Sequence, residues 1–334
     1  MKAIVLKKYG SIDNFEIADL PVPAIQKGQV RIKIKAVSFN PVDYQIRKGS
    51  PESKIMTSNI LGRDLSGIVD EAGGEVNDFK KGDEVYCYVC NLASSVTYTE
   101  YISVPSALVA KKPITLSFEQ AASIPAAGIT AWLAIAKTNA DKFKSVFIAG
   151  GAGGVGSFAI MFLKQSGIQN IITTAGSDNS MNYLIKTLQL RKEQIISYRD
   201  DNFIKKAIAR NGGYFDIALD LVGGKMLSAC CELLAIDGHL VSVTDPPDKS
   251  GFETLFQKNA SFHSVGANAY SLSDNREYWK AYHHILTHIS EFFQKNAVIK
   301  PPITVMGTLS VDTIRKALDL LENNSVQGKL IMTC

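Results

Sequence analysis

The first 120 residues contain no histidine; the chain's five imidazoles lie at His239, His263, His283, His284 and His288. A catalytic zinc needs three protein ligands drawn from Cys, His or carboxylate, so a zinc centre in this stretch would have to be built without imidazole. Cysteine is scarce too. Five in 334 residues are too few for a disulfide framework, and they fit reduced thiols and a cytoplasmic home. Cys87 and Cys90 form a C-x-x-C pair in EVYCYVC. Residues three apart in a strand point to opposite faces, and no second pair stands nearby to complete a four-ligand structural site. Two small apolar strand residues are the simpler expectation. Apolar runs break off well before 18 residues, so no membrane span is expected. The opening MKAIVLKKYG reads as a short strand rather than a signal peptide. The net charge of +4 is dispersed and too weak to point to nucleic acid.

What is present is ample core material. Hydrophobic residues make up 46% and charged residues 20% of the chain, and the length suggests about two domains. Residues 1–120 read as β-rich, with strands at 2–6, 30–37, 84–89 and 98–104 punctuated by Pro and Gly. From residue 120 the texture changes. Helices are expected at 128–137 and 155–167, and short apolar strands at 145–149, 170–174, 194–197, 216–220, 239–243 and 261–265. That alternation argues for a parallel, doubly wound α/β sheet. Amphipathic helices at 276–295 and 310–322, with strands near 299–306 and 328–333, are expected to return and complete the first domain. The boundaries expected are 1–122, 123–265 and 266–334.

The strongest motif is SVFIAGGAGGVGSFA, Ser145 to Ala159. An apolar strand runs into Gly151-Ala152-Gly153-Gly154-Val155-Gly156, and a helix follows. Glycines there make the tight turn and let backbone amides approach a pyrophosphate at the helix N-terminus. After the next strand an NAD site would carry Asp or Glu for the ribose 2′-hydroxyl. Here stand Ala175, Gly176 and Ser177, a neutral edge with room for a 2′-phosphate that Ser177 can hydrogen-bond; Asp178, one residue further on, would repel a phosphate if it turned inward. Tyr198 and Arg199, beyond the third strand, can approach the same place, or sit on an ordinary surface loop. NADPH is therefore expected in preference to NADH.

These residues resemble the quinone oxidoreductase branch of the medium-chain dehydrogenase/reductase family. The markers are VSFNPVDY (37–44), GRDLSGIV (62–69), GDEV (82–85), IPAAGITAW (124–132), AGGAGGVG (149–156), DIALDLVGG (216–224) and GKL (328–330). The resemblance implies a Rossmann sheet inserted into a barrel-like, GroES-like catalytic domain, with the active cleft between them, and a homodimer. The family's zinc enzymes place Cys where Asn40 stands and His-Glu where Arg63-Asp64 stand, so this resemblance implies a zinc-independent enzyme. Many NADPH-dependent relatives also carry a Lys within the stretch matching Ser180 to Asn182, which is missing here.

Without a Lewis acid, oxidation of simple alcohols is difficult. Quinones and α,β-unsaturated carbonyls, already electrophilic, need only positioning and hydrogen bonds to the oxygen that gains charge. Asn40, Tyr44 and Arg63 are the catalytic candidates: Asn40 to orient, Tyr44 to donate its hydroxyl, Arg63 to act electrostatically. Each also has a structural reading: Asn40-Pro41 as a turn device, Tyr44 as a packing residue, and Arg63 as an ion-pair partner of Asp43 or Asp64. Thr130, Ser242 and Val243 are expected at the nicotinamide end. Lys329 either closes over the cofactor or is a solvated Lys on an edge strand. An enoyl-thioester reductase of the same branch, and a non-catalytic NADPH-binding sensor or RNA-binding protein, are the alternatives. His284 and His288, at i and i+4, are expected to be surface imidazoles rather than metal ligands.

Overall fold

The computed structural model describes residues 1–89, 96–139, 145–273 and 275–334. The chain divides into two compact units, Met1–Ile129 together with Ala267–Cys334, and Thr130–Gly266.

The first unit opens on β1 (Lys2–Leu6) and β2 (Phe15–Asp19), an antiparallel pair. In β3 (Gln29–Ser38) apolar and polar residues alternate, and Val30, Ile32, Ile34 and Ala36 are buried as that period requires. Helix α1 (Pro41–Lys48) begins on a proline, whose missing N–H costs nothing in a first turn. It ends at Gly49, left-handed at φ 91°. Strands β4 (Asp64–Ala72), β5 (Glu84–Tyr88), β6 (Tyr101–Pro105) and β7 (Val109–Lys111) follow, then α2 (Phe118–Ala122) and the start of α3 (Pro125–Ala136), whose residues from Thr130 on belong to the second unit.

The second unit contains β8 (Ser145–Ala149), α4 (Gly154–Gln165), β9 (Asn170–Ala175), α5 (Asp178–Lys186), β10 (Ile195–Ser197), α6 (Phe203–Asn211), β11 (Phe215–Asp220), α7 (Lys225–Leu233), β12 (Leu234–Ser242), α8 (Lys249–Gln257) and β13 (Ser261–Ser264). Its six strands run in the order β10-β9-β8-β11-β12-β13, every neighbouring pair parallel. This is the expected doubly wound sheet. Strand β8 is buried along its whole length, as a strand covered on both faces must be. The chain leaves β8 for β9 on one side and later takes up β11 on the other. That reversal, at the carboxyl ends of β8 and β11, is where such sheets bind ligands.

The chain then returns to the first unit with α9 (Lys280–Lys295), β14 (Ile303–Thr308), α10 (Val311–Glu322) and β15 (Lys329–Thr333). The last strand lies between β14 and β3 in the order β14-β15-β3-β4-β5-β7, so the carboxyl-terminal segment completes the β-rich domain. One face of α10 buries Ile314, Ala317 and Leu318 against the core that holds Val30, Ile32, Leu65 and Met332. Each large aliphatic side chain buried there contributes about 1.5–3 kcal/mol. Among the described residues no helix is long and apolar enough to cross a membrane.

Candidate functional site

The turn after β8 is held to β9 by two threonines. Gly150 N donates to Thr174 Oγ1 and Gly151 N to Thr173 Oγ1, both at 3.1 Å. Gly150 is left-handed at φ 87°. A Cβ on Gly151 would stand 2.2 Å from Thr173 Oγ1, and one on Gly156 would stand 2.4 Å from Gly150 O. Those two glycines are demanded by the protein's own packing. Gly153 is not, since its Cβ would meet nothing nearer than Gly150 O at 3.4 Å. It is also the N-cap of α4, and no side chain caps it. Ala152, Gly153, Gly154 and Val155 are all partly exposed. The result is a helix mouth with first-turn amides left to an outside partner and no side chain in the way, which fits a diphosphate.

Beyond β9 the neutral edge is built differently from the simplest expectation. Ser177 is the N-cap of α5, and its Oγ accepts from Ser180 N at 3.2 Å. Ser180 Oγ in turn accepts from the Gly176 and Ser177 amides at 3.2 and 3.0 Å. The Tyr198 ring lies across Gly176, where a Cβ would be 2.1 Å from the phenolic oxygen. Tyr198 remains 47% exposed, so a large part of it faces outward beside Ser177, and Asp178, one residue further on, is exposed in the first turn of α5. Arg199 is exposed on the same connection.

At the ends of the next two strands stands a residue the sequence had not singled out. Asp220, fully buried at the end of β11, accepts from Gly223 N at 3.0 Å, Val222 N at 3.2 Å, Thr244 Oγ1 at 3.1 Å and Ser242 Oγ at 3.3 Å. Val243 N donates to Asp220 O at 3.2 Å. Ser242 and Val243 are thus fixed at the carboxyl end of β12. Thr130 is half-buried on α3.

In the first unit one catalytic candidate, Asn40, belongs to a buried polar knot. Asp64 is fully buried at the start of β4. Its Oδ2 accepts from Ser38 Oγ at 2.7 Å, Asn40 Nδ2 at 2.9 Å and Lys329 Nζ at 3.3 Å, and its Oδ1 from Ala126 N at 2.9 Å. Lys329 Nζ also donates to Asn40 Oδ1 at 2.7 Å and Phe39 O at 3.0 Å. Lys329 is 5% exposed on a strand with a neighbour on each side, so it is neither solvated nor at an edge.

A second carboxylate lies beside the first. Asp43 Oδ2 accepts from Asn40 N at 2.8 Å and Tyr98 OH at 2.9 Å. Burial pushes its carboxyl up from 3.8 to about 6, against the lowering effects of the Asn40 amide and the Arg63 charge. Arg63, 2% exposed, donates through Nη1 to Asn268 Oδ1 at 3.0 Å, which also accepts from Tyr88 OH at 2.5 Å. Among the described residues its Nε and Nη2 have no hydrogen-bond partner, and both are buried. These two N–H groups form one edge of the guanidinium fork. Tyr44 is half-buried against the barrel core.

The structure thus brings Asn40 and Lys329 together on Asp64 and ties Arg63 to Asn268, while Tyr44 stays outside these bonds. Ser38, Asp43 and Asp64 all lay inside motifs quoted above; the two carboxylates had been weighed as ion-pair partners of Arg63, which is bonded to Asn268 instead. Among the described residues no three His, Cys, Asp or Glu are grouped to hold a metal ion. Cys87 is buried in β5, and Cys90 lies outside the described residues. His284 and His288 are exposed on α9, with His288 Nδ1 3.8 Å from Glu291.

Comparison with known proteins agrees with this architecture. The alcohol dehydrogenase GroES-like domain family matches residues 26–114, and the zinc-binding dehydrogenase family matches residues 190–332. The quinone oxidoreductase of Sus scrofa is 32% identical over 73% of each chain. The chloroplastic NADPH-dependent alkenal/one oxidoreductase of Arabidopsis thaliana is 28% identical over 99% of this chain and 79% of its own. The solved quinone oxidoreductase of Coxiella burnetii superimposes with a TM-score of 0.81 at 32% identity, covering 100% of this chain and 99% of that one.

Proposed function

The chain belongs to the quinone oxidoreductase branch of the medium-chain dehydrogenase/reductase superfamily, and from that premise we propose an NADPH-dependent enzyme that passes hydride to quinones or α,β-unsaturated carbonyls without a catalytic metal. The observation that carries the cofactor reading is the helix mouth at Gly153, where neither side chain nor cap occupies the amides of α4. When bound, the nicotinamide supplies the hydride. The residues proposed to hold the dinucleotide are Gly151 to Gly156 at the diphosphate, Ser177 and Tyr198 at the 2′-phosphate, and Thr130, Ser242 and Val243 toward the nicotinamide.

The acceptor chemistry is proposed for the first unit. Asn40 presents an amide and Arg63 a guanidinium, neither of them among the usual zinc ligands, and the Asp64 carboxylate already holds the Lys329 ammonium. The Arg63 guanidinium is the fixed cation left to stabilise an oxygen that becomes negative as hydride arrives at the conjugated carbon. The Tyr44 hydroxyl is the proposed proton donor to that oxygen. Lys329 acts in this account through Asn40 and Asp64, holding them in place.

A homodimer is part of the proposal. Strand β13 is the last of its sheet, and Phe256 on the helix before it is 89% exposed. Light scattering should then give twice the 36.3 kDa chain mass.

The test is paired. Fluorescence titration should show tighter binding of NADPH than NADH, abolished by Gly153→Asp, whose carboxylate would enter the diphosphate cradle. Steady-state assays should show turnover of quinones or enones that survives a chelator. Unimpaired binding by the variant would move the phosphate site elsewhere, and chelator-sensitive turnover would overturn the metal-free mechanism.

A further inference from the structure

We propose that Asp220 is a fixed buried anion that sets the balance between oxidised and reduced nicotinamide, besides bracing the two loops that receive it. This rests on the pyridine-nucleotide reading above. The glycine turn follows β8, so the β8-β9-β10 half takes the adenosine side and the β11-β12-β13 half the nicotinamide side. Asp220 ends β11, the first strand of that second half.

Its surroundings are unusual for a carboxylate. It is fully buried, and every donor it has is neutral: the amides of Val222 and Gly223 and the hydroxyls of Ser242 and Thr244. Among the described residues no Lys, Arg or His forms an ion pair with it. Two of the donors belong to the loop leaving β11 and two to the exit of β12, so one side chain joins both strand ends. That loop turns through left-handed Gly223 and Gly224, at φ 85° and 56°. Its outer residue Val222 is 55% exposed, so the buried charge lies under an open surface.

Bracing two loops needs only acceptor atoms. A neutral amide oxygen would supply them at a smaller desolvation cost than a carboxylate without a cation. The charge has a further effect because its field passes through a poorly polarisable interior. It reaches its neighbours within the unit: burial first, and Asp220 next, raise the Cys230 thiol well above its usual 9.0. The oxidised nicotinamide ring is a cation and the reduced ring is neutral. An anion held beneath the exits of β11 and β12 therefore binds the oxidised form preferentially. By linkage it favours departure of the C4 hydride, with its electron pair, to the electrophilic carbon of the acceptor.

The experiment measures dissociation constants of NADP⁺ and NADPH on the full chain by calorimetry, so it does not depend on turnover. Asp220→Asn keeps an acceptor for the Gly223 amide and removes the charge. The expected result is a rise of about tenfold in the ratio of the NADP⁺ to the NADPH constant, mostly through weaker NADP⁺ binding. A ratio unchanged within about twofold, with both forms weakened alike, would reduce Asp220 to a brace and overturn the proposal. Should this variant not fold, Val222→Lys and Val222→Glu read the same field from the exposed loop. Lysine should raise the ratio and glutamate lower it, and no divergence between them overturns the proposal. Wild-type protein that binds neither nucleotide defeats the cofactor reading and this inference together. Binding of both without a change in ratio defeats the inference alone.

Discussion

The glycine turn after β8 and the polar knot around Asp64 are both hydrogen-bonding constructions, made by opposite means. The turn is backbone, tied by hydrogen bonds to threonines 22 to 24 residues away, and carries no formal charge. The knot is side chain, gathered from Ser38, Asn40, Asp64 and Lys329 across separations of 24 to 289 residues, and holds a full anion and a full cation out of water. A turn of the first kind waits for charge to arrive with a ligand, so a charged substitution there should change what binds. A knot of the second kind contains its own charge, so altering it should change whether the chain folds.

The largest effect expected from that contrast is at Lys329. Replacing it with Met keeps most of the side-chain volume but leaves Asp64, fully buried, without its cation. Breaking a buried pair from one side costs about 3–5 kcal/mol, readable as a lowered urea midpoint at constant slope. Pairing Lys329→Met with Asp64→Asn should recover part of the loss, because the orphaned charge is then gone. A single-variant cost below about 1 kcal/mol, the size of an exposed ion pair, would erase the distinction between knot and turn.

Asp43 gives a smaller effect that depends on pH. Its carboxyl titrates near about 6 in the folded chain against the ordinary 3.8, chiefly because it is buried. A raised carboxyl pKa means the folded state holds the proton more tightly. The associated stability is complete below about pH 4 and is lost as pH rises through about 6. Asp43→Asn does not titrate there. Its stability relative to wild type should therefore improve by about 2–3 kcal/mol between pH 4 and pH 7. Urea unfolding of both proteins across that range measures the difference, and a difference that stays flat with pH would remove Asp43 from the buried network.

The contrast also decides what could be read in advance. The turn was legible because all of its logic lies within one stretch: an apolar strand, spaced glycines and a helix. The knot was not, although Asn40 and Lys329 were each singled out. What links them is the register that sets β15 beside β3 and β3 beside β4. Strand β4 shows the difficulty. Asp64, Ser66, Gly67 and Asp70 break any strand pattern, yet Asp64 is fully bonded and Ser66 Oγ donates to Phe118 O at 2.6 Å. A Cβ on Gly67 would stand 2.3 Å from Lys33 O on the neighbouring strand. Helix α1 was likewise hidden behind Asn40-Pro41, which reads equally well as a turn. Asn268 meets Arg63 across 205 residues, with no local signal. Asp220 was the nearest miss, since DLVGG was noticed but the hydroxyls of Ser242 and Thr244 one strand later were not connected to it.

The smallest effect tests the turn side of the contrast. Ser177 caps α5 by accepting from Ser180 N, and aspartate is as good an N-cap as serine. Ser177→Asp should therefore leave the melting temperature within a degree or two, about what a few tenths of a kcal/mol produce. The new carboxylate would stand at the end of β9, where it can accept from a ribose 2′-hydroxyl and repels a 2′-phosphate. The ratio of the NADPH to the NADH dissociation constant should rise about tenfold, equivalent to about 1.4 kcal/mol. Unaltered preference would assign the 2′-phosphate to Tyr198 and Arg199 instead. A large fall in melting temperature would be more damaging, because the edge beyond the glycine turn would then be carrying the fold as the knot does.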